Sequence, residues 1–259
     1  MKVVTRSIAI ALAISSCCWS YARGLPRLQH RNKRIKVPGF WHGVDKSSVV
    51  AEAVESGNIG LKELEKILSF WEEHYNLTVP AWTRHYSIVS DLIRAYGCRV
   101  GCEVGVAFGT QSEHIILNTD VKRLYSIDPY IPFARILDFI PNDPIQSQQW
   151  MDVHAQVTMA RLSPYKDRCE LIRKKSVDAA RDFLDDSLDF VYIDGEHTYE
   201  AVRGDLNAWY PKIRLGGVII GDDYTERFAG LRRATDEFVL QRGLQLDLRS
   251  GGKYVIVKV

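Results

Sequence analysis

Two short apolar runs late in the chain anchor its reading. Leu188–Ile193 is L-D-F-V-Y-I and Val218–Ile220 is V-I-I. Each has the near-continuous hydrophobicity of a strand covered on both faces of a parallel sheet. Between them, Tyr199–Ile213 has the spacing of an amphipathic helix. The same alternation predicts strands at Arg99–Val104, Arg123–Ile127 and Cys169–Ile172, separated by helices at Thr110–Leu117, about Gln146–Leu162 and Val177–Leu184. Upstream, Leu61, Leu64, Ile67, Leu68 and Trp71 form one helical stripe, and a second helix is expected from Arg84 to Tyr96, closed by Gly97. Downstream, a helix over Ala229–Arg242 leads to Leu244–Leu248. Ser250-Gly251-Gly252 then gives a hairpin signal before the strand in Lys253–Val259. Strand and helix in alternation predict an α/β fold with a seven-stranded, mostly parallel sheet, helices on both faces and an antiparallel strand pair at the C-terminal end.

Composition adds only bounds. With 46% hydrophobic and 25% charged residues among 259, the chain is ordinary globular material with one sizeable core. A net charge of +2 and no basic run interleaved with aromatics point away from nucleic acid. Of the five cysteines, Cys98, Cys102 and Cys169 lie beside expected strands and read as buried free thiols. Residues 1–22 look like a signal peptide or a membrane anchor: Lys2 and Arg6 precede an uncharged stretch, Ser20-Tyr21-Ala22 offers a cleavage site, and Ile14-Ser15-Ser16-Cys17 resembles a lipoprotein box. If cleaved, the domain is exported. If retained, Arg23, Arg27, Arg31, Lys33, Arg34 and Lys36 outnumber the preceding basic residues and hold the domain on the cytoplasmic side of a membrane. Residues 23–83 are expected to form a basic linker followed by a helical, lid-type segment.

The candidate chemistry gathers at strand ends, where open α/β sheets bind their ligands. Asp194 follows one apolar run, and Asp222 and Asp223 follow the other. Carboxylates collected this way repel unless a cation lies between them, and Mg²⁺ with oxygen ligands is the expected one. Gly101-Cys102-Glu103-Val104-Gly105-Val106-Ala107-Phe108-Gly109-Thr110 joins the first strand to its helix. Gly105 and Gly109 permit a tight turn close to a ligand, and the helix beginning at Thr110 offers unpaired N–H groups. The G-x-x-x-G spacing is neither a dinucleotide fingerprint nor a P-loop. Asp128 ends the next strand, placed to accept hydrogen bonds from ribose hydroxyls. Bland roles are equally available to some of these residues: Asp222 and Asp223 as a helix N-cap pair, and His197 as a cap for the helix near Tyr199.

Together, E-V-G-V-A-F-G-T (103–110), Y-S-I-D (125–128), D-F-V-Y-I-D-G-E-H-T-Y (189–199) and G-G-V-I-I-G-D-D-Y (216–224) resemble the class I S-adenosylmethionine-dependent methyltransferases. Within that class they look most like the macrocin- and mycinamicin-type sugar O-methyltransferases and, more distantly, catechol O-methyltransferase. The resemblance covers residues 84–259 and implies a Rossmann-like sheet. It places Glu103, Gly105, Gly109 and Thr110 around the methionine part of the cofactor, Asp128 on the ribose, Ser176 near the adenine and Asp194 at the cofactor edge. It makes Asp194, Asp222 and Asp223 the Mg²⁺ ligands. The catechol enzymes have a lysine base three residues after the first metal aspartate. This chain has His197 there, so His197 and Asp194 are both candidate bases.

The function so implied is methyl transfer to a hydroxyl of a small molecule, sugar or catechol-like. The alternatives are a hydroxylase-like tailoring enzyme on the same scaffold and a non-catalytic, membrane-anchored binding module. The acceptor is expected to meet residues 129–150 and 23–83. There Tyr130, Phe133, Phe139, Trp150, Trp41 and Trp82 serve either as an aromatic pocket wall or as ordinary core. Relatives of this arrangement often associate, so a homo-oligomer is also implied.

Overall fold

The computed structural model describes residues 39–55, 59–132 and 147–259. The leader (1–22), the basic stretch after it and Phe133 and Phe139 lie outside the described residues. The seven strands are β1 (Val100–Val104), β2 (Arg123–Ile127), β3 (Cys169–Ile172), β4 (Leu188–Ile193), β5 (Ile213–Gly221), β6 (Asp247–Leu248) and β7 (Tyr254–Val257). Their order across the sheet is β3-β2-β1-β4-β5-β7-β6. The first five run parallel, and β7 pairs antiparallel with both β5 and β6. This is the expected architecture.

Side-chain alternation along the central strands decides which helix covers which face. Cys102, Val104, Val191, Ile193 and Ile219 join one apolar cluster with Ala179 of α6 (Ser176–Ala180), Val202, Leu206 and Trp209 of α7 (Tyr199–Trp209), and Ala234 and Phe238 of α8 (Ala229–Arg242). Glu103 and Ser126 point the other way. There Ser112 of α4 (Thr110–Asn118) hydrogen-bonds to both, so helices cover both faces. A second cluster is built by α1 (Lys46–Glu55), α2 (Leu61–Trp82) and α5 (Gln148–Leu162), with Leu64, Ile67, Leu68 and Trp71 at its centre. Arg161 of α5, fully buried, donates to the Phe40 carbonyl at 2.6 Å and ties the start of the described chain to this cluster. Trp41 and Trp150 are bonded to acids of α2: Trp41 to Glu72 (3.1 Å) and Trp150 to Glu63 (3.3 Å).

The element ends depart from expectation where backbone chemistry intervenes. Helix α7 stops at Trp209 because Pro211 lacks an N–H, and Tyr210–Lys212 continues as a 3₁₀ turn. Helix α2 instead runs through Pro80 to Trp82. The helix expected from Arg84 splits into a 3₁₀ turn, Thr83–His85, and α3 (Tyr86–Ala95). Strand β5 begins at Ile213, five residues before Val218, and its pairing with β4 shifts register between Leu188 and Phe190. Cys98, Cys102 and Cys169 are buried free thiols. Among the described residues, no helix is long and apolar enough to cross a membrane.

Candidate active site

Strand order reverses between β1 and β4, and the crevice at such a point is where an α/β sheet binds its ligand. A cavity of about 1250 Å³ opens there, lined by Glu103, Gly105, Thr110, Asp128, Ser176, Asp194, His197, Asp222 and Asp223, among others. Gly109 lies on the turn beneath it. All the candidate residues but Gly109 therefore share one lining.

The turn after β1 is tight for a stated reason. Gly105 has φ +87°, and a Cβ there would fall 2.1 Å from the Asp194 carbonyl oxygen. Gly109, with φ +75°, precedes α4 as its N-cap. Asp128 braces this turn: its Oδ2 accepts from the Val106 and Ala107 amides at 3.0 and 3.2 Å, and its Oδ1 from the Tyr130 amide at 2.9 Å. Burial raises its pKa and these three bonds oppose the rise. Both lone pairs of Oδ2 are thus engaged, and Oδ1 keeps one for a further donor. Glu103 is 1% exposed, and burial pushes its pKa up to about 8, against the Ser112 hydrogen bond and with the Asp194 and Asp128 charges adding to the rise. Thr110 bonds to the Tyr86 hydroxyl at 2.6 Å. Ser176 accepts from Trp209 Nε1 at 2.8 Å.

The acidic wall is arranged differently from a simple three-aspartate cluster. Tyr192 donates its hydroxyl toward Asp222 Oδ2 at 2.7 Å and lies 3.0 Å from Asp194 Oδ2. Asp222 Oδ1 accepts the Asp223 amide at 2.7 Å. Its Oδ2 also takes the ammonium of Lys253, whose side chain is 3% exposed. His197 stands between the other two acids, with Nε2 3.6 Å from Asp194 Oδ1 and Nδ1 3.6 Å from Asp223 Oδ2. Burial disfavours its charge, but the neighbouring carboxylates outweigh burial and raise its pKa. Asp194 is pushed up to about 6 by burial and by Asp222. Thr198 caps α7, accepting from Ala201 at 3.2 Å, which frees His197 from that task. Asp222 and Asp223 cap no helix by side chain either, since the 3₁₀ turn Glu226–Phe228 starts after Thr225 with no side-chain cap.

Asp194, His197 and Asp223 each offer one ligand atom within 4.8 Å of the others. Asp222 does not join them, being already bonded to Lys253 and Tyr192. Two carboxylates and an imidazole form a mixed oxygen–nitrogen set, whereas Mg²⁺ prefers oxygen alone. The donors as arranged do not fit the expected Mg²⁺ triad. His114 and His154 lie apart from this group: His114 bonds to Ser90 at 2.9 Å, and His154 stacks on Trp71 at 4.1 Å. A two-histidine iron set with His197 is not assembled among the described residues.

The lining also has an aromatic wall of Trp71, His74, Trp82, Phe108, Tyr130 and His154. Of the aromatics expected there, Trp82 and Tyr130 line the cavity and Trp150 belongs to the core beside Trp71. Lys253, Asp205 and Gln111 are among the cavity residues that were not foreseen. Lys253 immediately precedes β7, far along the chain from its partner. Asp205, buried with its pKa raised to about 6 chiefly by burial, reads in sequence as a polar position of α7. Gln111, whose buried amide has no hydrogen-bond partner, carries no motif at all.

A family model described as a methyltransferase domain matches residues 100–224. The seven-stranded sheet and the cavity at its strand ends agree with that match. Two solved structures share the fold. One is a Staphylococcus aureus protein assigned as a caffeoyl-CoA O-methyltransferase (TM-score 0.51, 14% identity, covering 83% of this chain and 100% of that one). The other is an O-methyltransferase from Bacillus cereus in complex with SAH (TM-score 0.50, 16% identity, covering 82% and 97%). An uncharacterized protein of Acanthamoeba polyphaga mimivirus is 26% identical over 128 residues, 48% of this chain and 51% of the relative. An uncharacterized Sinorhizobium fredii protein is 33% identical over 72 residues, 28% of this chain and 8% of the relative. The match thus spans about half the length of one curated relative and a small part of the other.

Proposed function

We propose that the protein transfers the methyl group of S-adenosylmethionine to a hydroxyl of a small molecule, sugar or catechol-like. The observation that carries this is His197, whose buried Nε2 has no hydrogen-bond partner. It stands between two carboxylates in the cavity that Gly105 and Asp128 also line. A neutral imidazole so placed can take a hydroxyl proton, and Asp194 then holds the imidazolium or, in its absence, serves as base itself. Glu103, Gly105, Gly109 and Thr110 would cradle the methionine part of the cofactor, Asp128 the ribose and Ser176 the adenine, with Asp194 at the cofactor edge. Positioning of oxygen and methyl carbon in line supplies much of the rate.

Mg²⁺ held by Asp194, Asp222 and Asp223 is the second reading. The clustering of these carboxylates on one wall favours it, and it requires Asp222 to exchange Lys253 for the ion. The test is calorimetric titration of the full-length protein with S-adenosylmethionine and S-adenosylhomocysteine, followed by an acceptor screen with and without chelator. Micromolar binding of both ligands is the expected result. No binding of either removes the methyl-transfer reading.

A further inference from the structure

We infer that Lys253 stands in for the divalent cation at this wall, so that the proposed methyl transfer runs without a bound metal. The inference rests on the reaction proposed above. The position of Lys253 is set by the sheet and not by a surface rotamer. Gly221 pairs with Tyr254 in the antiparallel β5–β7 ladder, which brings Asp222 and Lys253, one step further along each strand, side by side. Gly221 has no side chain because the Tyr254 ring occupies that space: a Cβ there would lie 1.9 Å from it. Gly252, with φ +73°, turns the chain into β7 immediately before Lys253. The ammonium is buried, and a buried charge persists only when paired and hydrogen-bonded. Its partner is the carboxylate that a metal would need as its third oxygen ligand.

The reaction balances without an added cation. The acceptor hydroxyl gives its proton to His197 Nε2, and its oxygen forms the new C–O bond to the methyl carbon. The C–S bond breaks and its electron pair returns to sulfur. One positive charge disappears at the sulfonium as another appears on the imidazole, so the charge of the site is unchanged. Lys253 acts through Asp222 as a positioning residue: it cancels one carboxylate of the wall that faces the developing negative charge on the acceptor oxygen.

Mn²⁺ binding, read by the electron paramagnetic resonance signal of the free ion, tests this on the full-length protein with S-adenosylhomocysteine present. Wild type is expected to bind Mn²⁺ no tighter than millimolar. Lys253→Met should bind it at least about 30-fold more tightly, because the released Asp222 adds a ligand charge to Asp194 and Asp223. Asp222→Asn in that background should erase the gain, and Lys253→Arg should stay as weak as wild type. If the lysine merely stabilised the fold, Lys253→Met would lower the melting temperature without creating a metal site. Micromolar Mn²⁺ binding by wild type, or no gain in a folded Lys253→Met, overturns the inference. If Lys253→Met does not fold, the wild-type titration decides alone. Calorimetry with S-adenosylhomocysteine reports separately on the methyl-transfer reading, so the two can fail independently.

Discussion

Under the proposed function, Glu103 should make cofactor binding a proton-coupled event. Its carboxyl, 1% exposed on β1, has a pKa of about 8, so at pH 7 only about one molecule in eleven carries it ionised. The proposed cationic cofactor would pair with the ionised form. Meeting that requirement at pH 7 weakens binding about elevenfold, or about 1.4 kcal/mol, at the usual exchange of about 1.36 kcal/mol per pKa unit. At pH 9 the penalty falls to about a tenth of the affinity. The dissociation constant for S-adenosylmethionine should therefore tighten about tenfold from pH 7 to pH 9, with release of about 0.9 proton per site at pH 7 and about 0.1 at pH 9. Titration calorimetry in two buffers of different ionisation enthalpy measures both. The cofactor's own α-amino group also titrates near pH 8, so the comparison is with Glu103→Gln, which keeps that contribution and loses the carboxyl. Equal proton release and equal pH slopes in the two proteins would refute the coupling.

His197→Gln should remove the acid limb of the rate profile. In wild type that limb should lie above the ordinary imidazole value of 6.5, since the group is raised and only its neutral form accepts a proton. Initial rates across pH check this, and an unchanged limb passes the base role to Asp194. Gly105→Ala should weaken S-adenosylhomocysteine binding at least about tenfold, because a Cβ 2.1 Å from the Asp194 carbonyl and a strained positive φ force the turn to move; calorimetry reads the loss. His154 is buried with both ring nitrogens unpartnered and its pKa lowered to about 3 by burial. Below pH 6.5 the unfolded chain binds a proton that the folded one refuses, so this residue makes stability fall as pH falls. His154→Phe should remove about 1.4 kcal/mol per pH unit of that dependence between pH 6 and 4, as followed by urea unfolding. Parallel pH profiles would show that His154 acquires a partner in solution.

The sheet was legible because buried parallel strands write themselves as runs such as L-D-F-V-Y-I, and the acids that end them follow from the rule for strand ends. The glycine turn was equally plain, since Gly105 and Gly109 answer a local backbone demand. Lys253 was hidden for the opposite reason. Its partner, Asp222, is 31 residues away, and only the register of an antiparallel ladder joins them; in sequence it is one lysine in K-Y-V-I-V-K-V. The reach of α2 to Trp82 was also hidden, because Pro80 reads as a stop while packing carries the helix through it. Asp205 was masked by periodicity, which marks it as a polar position without saying what that position faces.

The two apolar clusters bear on how this molecule can change over generations. The glycine turn, Asp128 and the acidic wall are seated on the strand ends, in or beside the cluster that includes Val104, Val191 and Ile219. The aromatic wall is mostly seated on α2 and α5, whose core is the other cluster. Substitutions in α2 can thus reshape one side of the cavity while the strand packing beneath the turn is left alone. Divergence along such a line would alter what one wall of the cavity accepts while the residues at the strand ends stay as they are.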